Sequence, residues 1–199
     1  FSRRGRRKAK RMLTVSSLSL SRGERVLFRG LSFGVAAGEA VALTGANGAG
    51  KTSLLRAIAG FIRPDAGEVE VGAPLHLLGH LDGLKGGRTA RPELEFQARY
   101  LGADHVGVAA AVERLQLKPL LDLEVRKLSA GQRRRLAFAR LIAAPRPLWL
   151  LDEPLSPLDA RWRAELGRIM QAHMAEGGAI LAAVHDPLPF EARALELGA

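Results

Sequence analysis

The chain has 199 residues, 47% of them apolar and 25% charged, with a formal charge of +10 and no cysteine. That length and apolar share suit one globular domain with a sizeable core, and they exclude collagen-like, coiled-coil and disulfide-scaffold classes. Without cysteine, thiolate zinc sites and covalent haem attachment through Cys-x-x-Cys-His are excluded as well, so any metal must use oxygen or imidazole ligands and a reducing compartment is permitted.

The charge is concentrated at one end. Arg3, Arg4, Arg6, Arg7, Lys8, Lys10 and Arg11 fall within residues 1–11 with no acid among them, leaving +3 of the +10 for the rest of the chain. An opening Phe1, and a Met12 just ahead of an alternating apolar stretch, lead us to expect that Met12 is the natural start and 1–11 an upstream extension. A basic arm for RNA or anionic lipid is the rival reading. A twin-Arg export signal would need an apolar region, and Thr14 to Arg25 is too rich in serine and charge. Apolar runs such as Leu148 to Leu151 and Ala179 to Val184, the latter the longest, fall far short of the ~20 residues that span a bilayer. Work at a membrane would go through a partner.

From Leu13 to Val35 a β-type alternation broken at Arg22-Gly23-Glu24 predicts an antiparallel hairpin. Glu39 to Thr44 reads as a short buried strand, followed by a glycine loop and a helix over Lys51 to Ala59, ended by Gly60 with Pro64 beyond. Glu68 to Val71 and Leu75 to Leu78 read as two more strands. Between Gly79 and Ala144 helical patterns take over, at Pro92 to Tyr100, Val106 to Leu115 and Ala130 to Ile142, which predicts a helical insertion. Strands return at Leu148 to Leu151, Ala179 to Val184 and Ala194 to Leu197, with a helix from about Ala160 to Ala175. Alternating strands and helices imply an α/β fold, a mostly parallel sheet covered by helices on both faces.

Three motifs carry chemistry. Gly45-Ala46-Asn47-Gly48-Ala49-Gly50-Lys51-Thr52 fits G-x-x-x-x-G-K-[ST] in full and lies between a predicted strand and helix, as a phosphate loop requires. Its backbone N–H groups would converge on phosphate at a helix N-terminus, continuing to Ser53, with Lys51 reaching the β- and γ-phosphates and Thr52 ligating Mg²⁺. The apolar run Leu148 to Leu151 ends in Asp152 and Glu153. Asp152 would serve Mg²⁺ beside Thr52, and Glu153 would polarise the attacking water as a general base. Leu128-Ser129-Ala130-Gly131-Gln132 precedes a basic helix, with Ser129 as a good N-cap at a second potential anion site.

In their chain order, phosphate loop, then Leu128 to Gln132, then the acid pair, the three motifs resemble those of the ABC-type ATPases, whose signature usually reads Leu-Ser-Gly-Gly-Gln; the resemblance covers Met12 to Gly198. It implies a P-loop NTPase fold, a RecA-like parallel sheet with an antiparallel β ribbon and a helical subdomain at about 80–144, in a single nucleotide-binding domain at 12–198. It further implies ATP and Mg²⁺, and a homodimer in which the signature of one copy closes on ATP held by the other. Ser156-Pro157-Leu158-Asp159 is similar to the family's D-loop, and His185 to its switch histidine. Two positions depart from the pattern. Arg22 stands where an aromatic residue usually stacks on adenine, which predicts weaker and less selective base binding. His80 stands where the Q-loop glutamine is usual and adds a group that titrates near neutrality.

Gly79-His80, Gly83-Leu84-Lys85 and Thr89-Ala90 resemble one subfamily, the haem-exporter ATPases of c-type cytochrome maturation, as does the block from Leu128 to Arg135 continuing into Pro147 to Pro154. Pro92-Glu93-Leu94 and Leu155-Ser156-Pro157 depart from it, where Glu-Asn-Leu and Phe-Thr-Ala are usual. The resemblance implies integral membrane subunits as partners at the cytoplasmic face of a bacterial inner membrane, and no nucleic acid. An ATPase of another small exporter would keep every ATP residue and change only its docking surface. A soluble ABC protein acting on ribosomes or nucleic acid has only the basic tail in its favour, and a P-loop kinase would have no use for Leu128 to Gln132.

Overall fold

The computed structural model describes residues 10–198. Residues 1–9, most of the basic segment expected to precede a natural start, lie outside the described residues. Lys10 and Arg11 belong to the fold: the Lys10 carbonyl accepts from the Ala37 N–H at 2.9 Å, and Arg11 pairs with Ala36.

In chain order the first half comprises β1 (Arg11–Arg22), β2 (Arg25–Ala36), β3 (Ala40–Thr44), α1 (Lys51–Ile58), β4 (Ala66–Val71) and β5 (Leu75–Leu78). There follow α2 (Ala90–Tyr100), α3 (His105–Arg114), 3-10 turns at Lys118–Leu120 and Val125–Lys127, α4 (Ala130–Ala143), β6 (Leu148–Asp152), α5 (Ala160–Ala175), β7 (Ala179–Ala183) and β8 (Arg193–Glu196). The predicted elements are all present. The two 3-10 turns are additional, and an isolated bridge between Thr89 and Glu124 ties that segment to the start of α2.

Helix boundaries follow capping chemistry. The first helix ends in a Schellman motif: Phe61 N–H donates to the Arg56 carbonyl at 2.8 Å and Gly60 N–H to Ala57 at 3.0 Å, which satisfies carbonyls that α1 leaves open. α2 starts at Ala90, two residues ahead of the expected Pro92, because proline in a first turn forfeits no intrahelical bond. α3 starts behind Asp104, whose Oδ1 accepts from Gly107 N–H at 2.8 Å.

Strands β3, β5, β6, β7 and β8 form one parallel sheet in the order β5-β6-β7-β3-β8, and β2-β1-β4 form a separate antiparallel sheet. Alternation sorts the parallel strands onto two faces. Ala40, Ala42, Trp149, Leu151, Ile180 and Ala182 join Leu94, Phe138, Leu166 and Met170 from α2, α4 and α5 in one cluster. Val41, Leu43, Leu148, Leu150 and Leu181 join Leu54 and Leu55 of α1 and Leu13, Val15 and Leu18 of β1 in the other. Helices therefore cover one face, as expected, whereas the other carries a single helix and the antiparallel sheet. The helical segment between β5 and β6 shares its core with the sheet.

This topology builds the site. Four parallel strands end at the same edge, so the loops that follow β3, β5, β6 and β7 converge there, where open α/β sheets bind their ligands.

Candidate active site

The phosphate loop runs from the end of β3 into α1, as its spacing predicts. Gly45 has φ 128°, and a Cβ there would lie 2.4 Å from the Leu197 carbonyl oxygen just beyond β8; no other residue type fits between the two strands. Lys51 is buried, and its Nζ donates to the carbonyls of Gly45 (2.5 Å) and Ala46 (3.2 Å), which draws the ammonium across the loop. Thr52, one residue into α1, donates from Oγ1 to Asp152 Oδ2 at 2.9 Å. Asp152 is buried at the end of β6. A hydroxyl and a carboxylate brought together at the mouth of a phosphate loop are the oxygen donors that Mg²⁺ takes, alongside substrate phosphate and water.

Glu153 follows with a separate orientation. Its backbone is left-handed at φ 48°, a sparsely populated state for a glutamate, and its N–H donates to the Ala183 carbonyl at 2.9 Å. The turn sends its carboxylate towards two histidines: His185 Nε2 lies 3.0 Å from Oε1 and His80 Nδ1 lies 3.7 Å from Oε2. His185 comes from the loop after β7 and His80 from the loop after β5, on opposite sides of β6 in the sheet. Both sequence-chosen histidines therefore meet the same carboxylate.

Ser129 caps α4 through a full capping box: Gln132 N–H donates to Ser129 Oγ at 3.2 Å and Ser129 N–H to Gln132 Oε1 at 2.8 Å. Gly131 lies against the Pro157 carbonyl, 3.0 Å from where a Cβ would sit, so a side chain would force the two segments apart. Ala130, the departure from the usual signature, is exposed and lines an open cleft with His80, Arg133, Glu153, Ser156 and Pro157. Leu128 is buried. Asp159 caps α5, its Oδ1 accepting from Trp162 N–H at 2.8 Å, which gives it a structural task independent of the D-loop resemblance.

The structure adds residues that the motifs do not contain. Arg22 is exposed at the end of β1, paired across the hairpin with Arg25. The Arg25 guanidinium lies against the phosphate loop, with Nη1 3.5 Å from the Cβ position of Gly48. Arg134 of α4 is 1% exposed and donates to the backbone behind Asp152 and Glu153. A signal for it exists in the sequence: Arg134 is in helical phase with Ala137, Phe138 and Leu141, all buried, although the surrounding run of arginines reads as a solvated face.

Comparison with known proteins bears on this arrangement directly. Residues 28–156 match the ABC transporter family model. The chain is 48% identical over 179 residues to the cytochrome c biogenesis ATP-binding export protein CcmA of Hyphomonas neptunium, covering 90% of this chain and 92% of that one. It is 46% identical over 196 residues to the protein of the same description from Rhodopseudomonas palustris, covering 94% and 98%. Among solved structures, a dimeric ATP-binding cassette in a post-hydrolysis state bound to ADP and Pi superposes with a TM-score of 0.84 at 20% identity, over 94% of each chain. An ATP-binding subunit of an ABC transporter superposes at 0.78 and 23% identity, over 87% of this chain and 79% of that one; both share the fold. Since the matched stretch runs through the phosphate loop, the His80 loop, the signature helix and the acid pair, and relatives agree along nearly their whole length, the chain belongs to the ABC transporter family as an ATP-binding subunit with ATPase activity.

Proposed function

We propose that this subunit hydrolyses ATP to drive haem export, or release of a haem-loaded chaperone, in c-type cytochrome maturation. The observation that carries this reading is the 48% identity, over 90% of the chain, to a cytochrome c biogenesis export protein. The chain acts as one nucleotide-binding domain, residues 12–198, paired with a second copy at the cytoplasmic face of the inner membrane.

Geometry supports the roles assigned to its residues. Lys51 and the N–H groups from Gly45 to Ser53 bind the β- and γ-phosphates at the N-terminus of α1. Thr52 and Asp152 hold Mg²⁺, which when bound offsets phosphate charge. Glu153 accepts the proton of the water that attacks the γ-phosphorus as the bond to the ADP oxygen breaks. His185 both orients that carboxylate and reaches for the γ-phosphate.

An apolar patch supports docking to integral membrane subunits. Phe61 (74% exposed), Phe96 (51%) and Tyr100 (83%) crowd a groove with Leu77, Gln97 and Arg140, and large contiguous apolar surface marks an interaction site. No helix among the described residues is long and apolar enough to cross a membrane, so coupling would run through such a contact.

The test is a haem-stained gel of membranes from cells lacking the gene, complemented with wild type or Glu153→Gln. Loss of c-type cytochromes, restored by wild type alone, is expected. Cytochromes that persist without the gene would assign the ATPase to a different exporter.

A further inference from the structure

The Arg134 guanidinium uses every N–H it has. Nε donates to the Pro154 carbonyl at 3.1 Å, and Nη2 to the carbonyls of Asp152 and of Glu153 at 2.9 Å. Nη1 donates to the Gly79 carbonyl at 2.8 Å and to Asp82 Oδ1 at 3.0 Å. One side chain of α4 thus grips three consecutive peptides around Glu153 and both flanks of His80. A left-handed glutamate persists only where its surroundings over-determine it. Here the Ala183 carbonyl takes the Glu153 N–H, and Arg134 fixes the peptide oxygens on either side.

We propose that Arg134 is a positioning residue for hydrolysis. It holds Glu153 in the one backbone state that aims its carboxylate between His80 and His185, and it ties that aim to the His80 loop and the signature helix. Because both anchors meet on one planar fork, a shift of the His80 loop moves Glu153 through two hydrogen bonds rather than through side-chain packing. A lysine ammonium, with three donors and no planar fork, cannot span the same set. The proposal rests on the reading of Glu153 as the water-activating carboxylate.

The experiment measures phosphate release and nucleotide affinity of the purified full chain for Arg134→Lys, Arg134→Met, Asp82→Ala and Glu153→Gln. The two Arg134 variants are expected to bind nucleotide within about twofold of wild type with unchanged KM and to lose at least tenfold in kcat, Lys less than Met; a packing role alone would leave kcat of the folded variants intact. Asp82→Ala removes one of the two bonds between the fork and the His80 loop, leaving that to the Gly79 carbonyl, at a partly exposed residue, and is expected to lower kcat about threefold at constant KM. It decides the matter if Arg134→Met does not fold: wild-type kcat there overturns the coupling. Arg134 variants with wild-type kcat beside an inactive Glu153→Gln would overturn the role of Arg134 alone. A Glu153→Gln chain within threefold of wild type would overturn the reading of Glu153 and this proposal with it.

Discussion

The roles proposed for Glu153 and Lys51 separate chemistry from binding at the level of single side chains. Glu153→Gln keeps the shape and the Ala183 hydrogen bond but removes the base, so turnover should fall by ~10²–10⁴ while nucleotide affinity stays within about threefold; phosphate release and a nucleotide titration read the two quantities. Lys51→Ala should weaken nucleotide binding itself, since the ammonium is the only cation donating into the loop carbonyls among the described residues. His76 makes a different kind of prediction. Burial holds its imidazole down at about 4, from 6.5, although its Nε2 donates to the Ala144 carbonyl at 2.6 Å. The unfolded chain takes up the proton first as pH falls, so stability is intact above pH 6.5 and is lost on the way down to 4. By pH 5 the cost is about 2 kcal/mol. His76→Gln keeps a donor for Ala144 and should flatten that acid limb, as urea midpoints at pH 7.5 and pH 5 would show.

Caps, strand ends and one strained turn connect these side chains into elements. Ser129 and Asp159 each satisfy a backbone N–H at a helix start, and truncating either to alanine should cost about 1 kcal/mol. In a chain of this size that amounts to a melting shift of roughly 2–4 °C in the nucleotide-free protein. Ser129→Ala carries a second consequence, because the Gln132 N–H loses its acceptor and only the backbone half of the capping box remains, so the N-terminus of α4 frays beside the cleft. If calorimetry found Ser129→Ala as stable as wild type, the capping box would not be what starts α4. Gly45 shows the same logic for strands: its close approach to Leu197 makes β8 a wall of the phosphate loop, although β8 contributes no motif.

Across the whole molecule, the parallel sheet is the device that assembles the site, and the groove of Phe61, Phe96 and Tyr100 is the surface proposed to report it outward. The groove lies between the end of α1, the start of β5 and α2, and Arg140 links it inward through the Leu77 carbonyl (3.1 Å) and Gln97 Oε1 (3.0 Å). Substituting Phe61→Asp together with Tyr100→Ser should leave nucleotide affinity unchanged, because neither residue touches the phosphate loop, yet abolish cytochrome maturation in complemented cells. Recovery of the subunit with washed membranes checks the same variant physically; full membrane recovery and normal cytochromes would remove the groove from the docking surface.

Contiguous residues determine what short stretches of the sequence can report. The phosphate loop, the acid pair and the capped signature each occupy a few adjacent positions, and their strand or helix context follows from local periodicity, so the elements and most of the candidate site's residues were legible before any tertiary structure. The resemblance to ABC ATPases then supplied the roles of His80, His185 and Asp159. Tertiary structure alone decided the sheet order β5-β6-β7-β3-β8, and with it that His80 and His185 bracket one carboxylate. It laid the antiparallel sheet and α1 together on one face of the parallel sheet, and it brought Arg25 against Gly48. Above all it buried Arg134, whose partners stand 18 to 55 residues away. Within an arginine run helical phase hints at the side chain that turns inward, but the carbonyls and the Asp82 carboxylate converging from two other segments provide the acceptors that make burying a guanidinium tolerable.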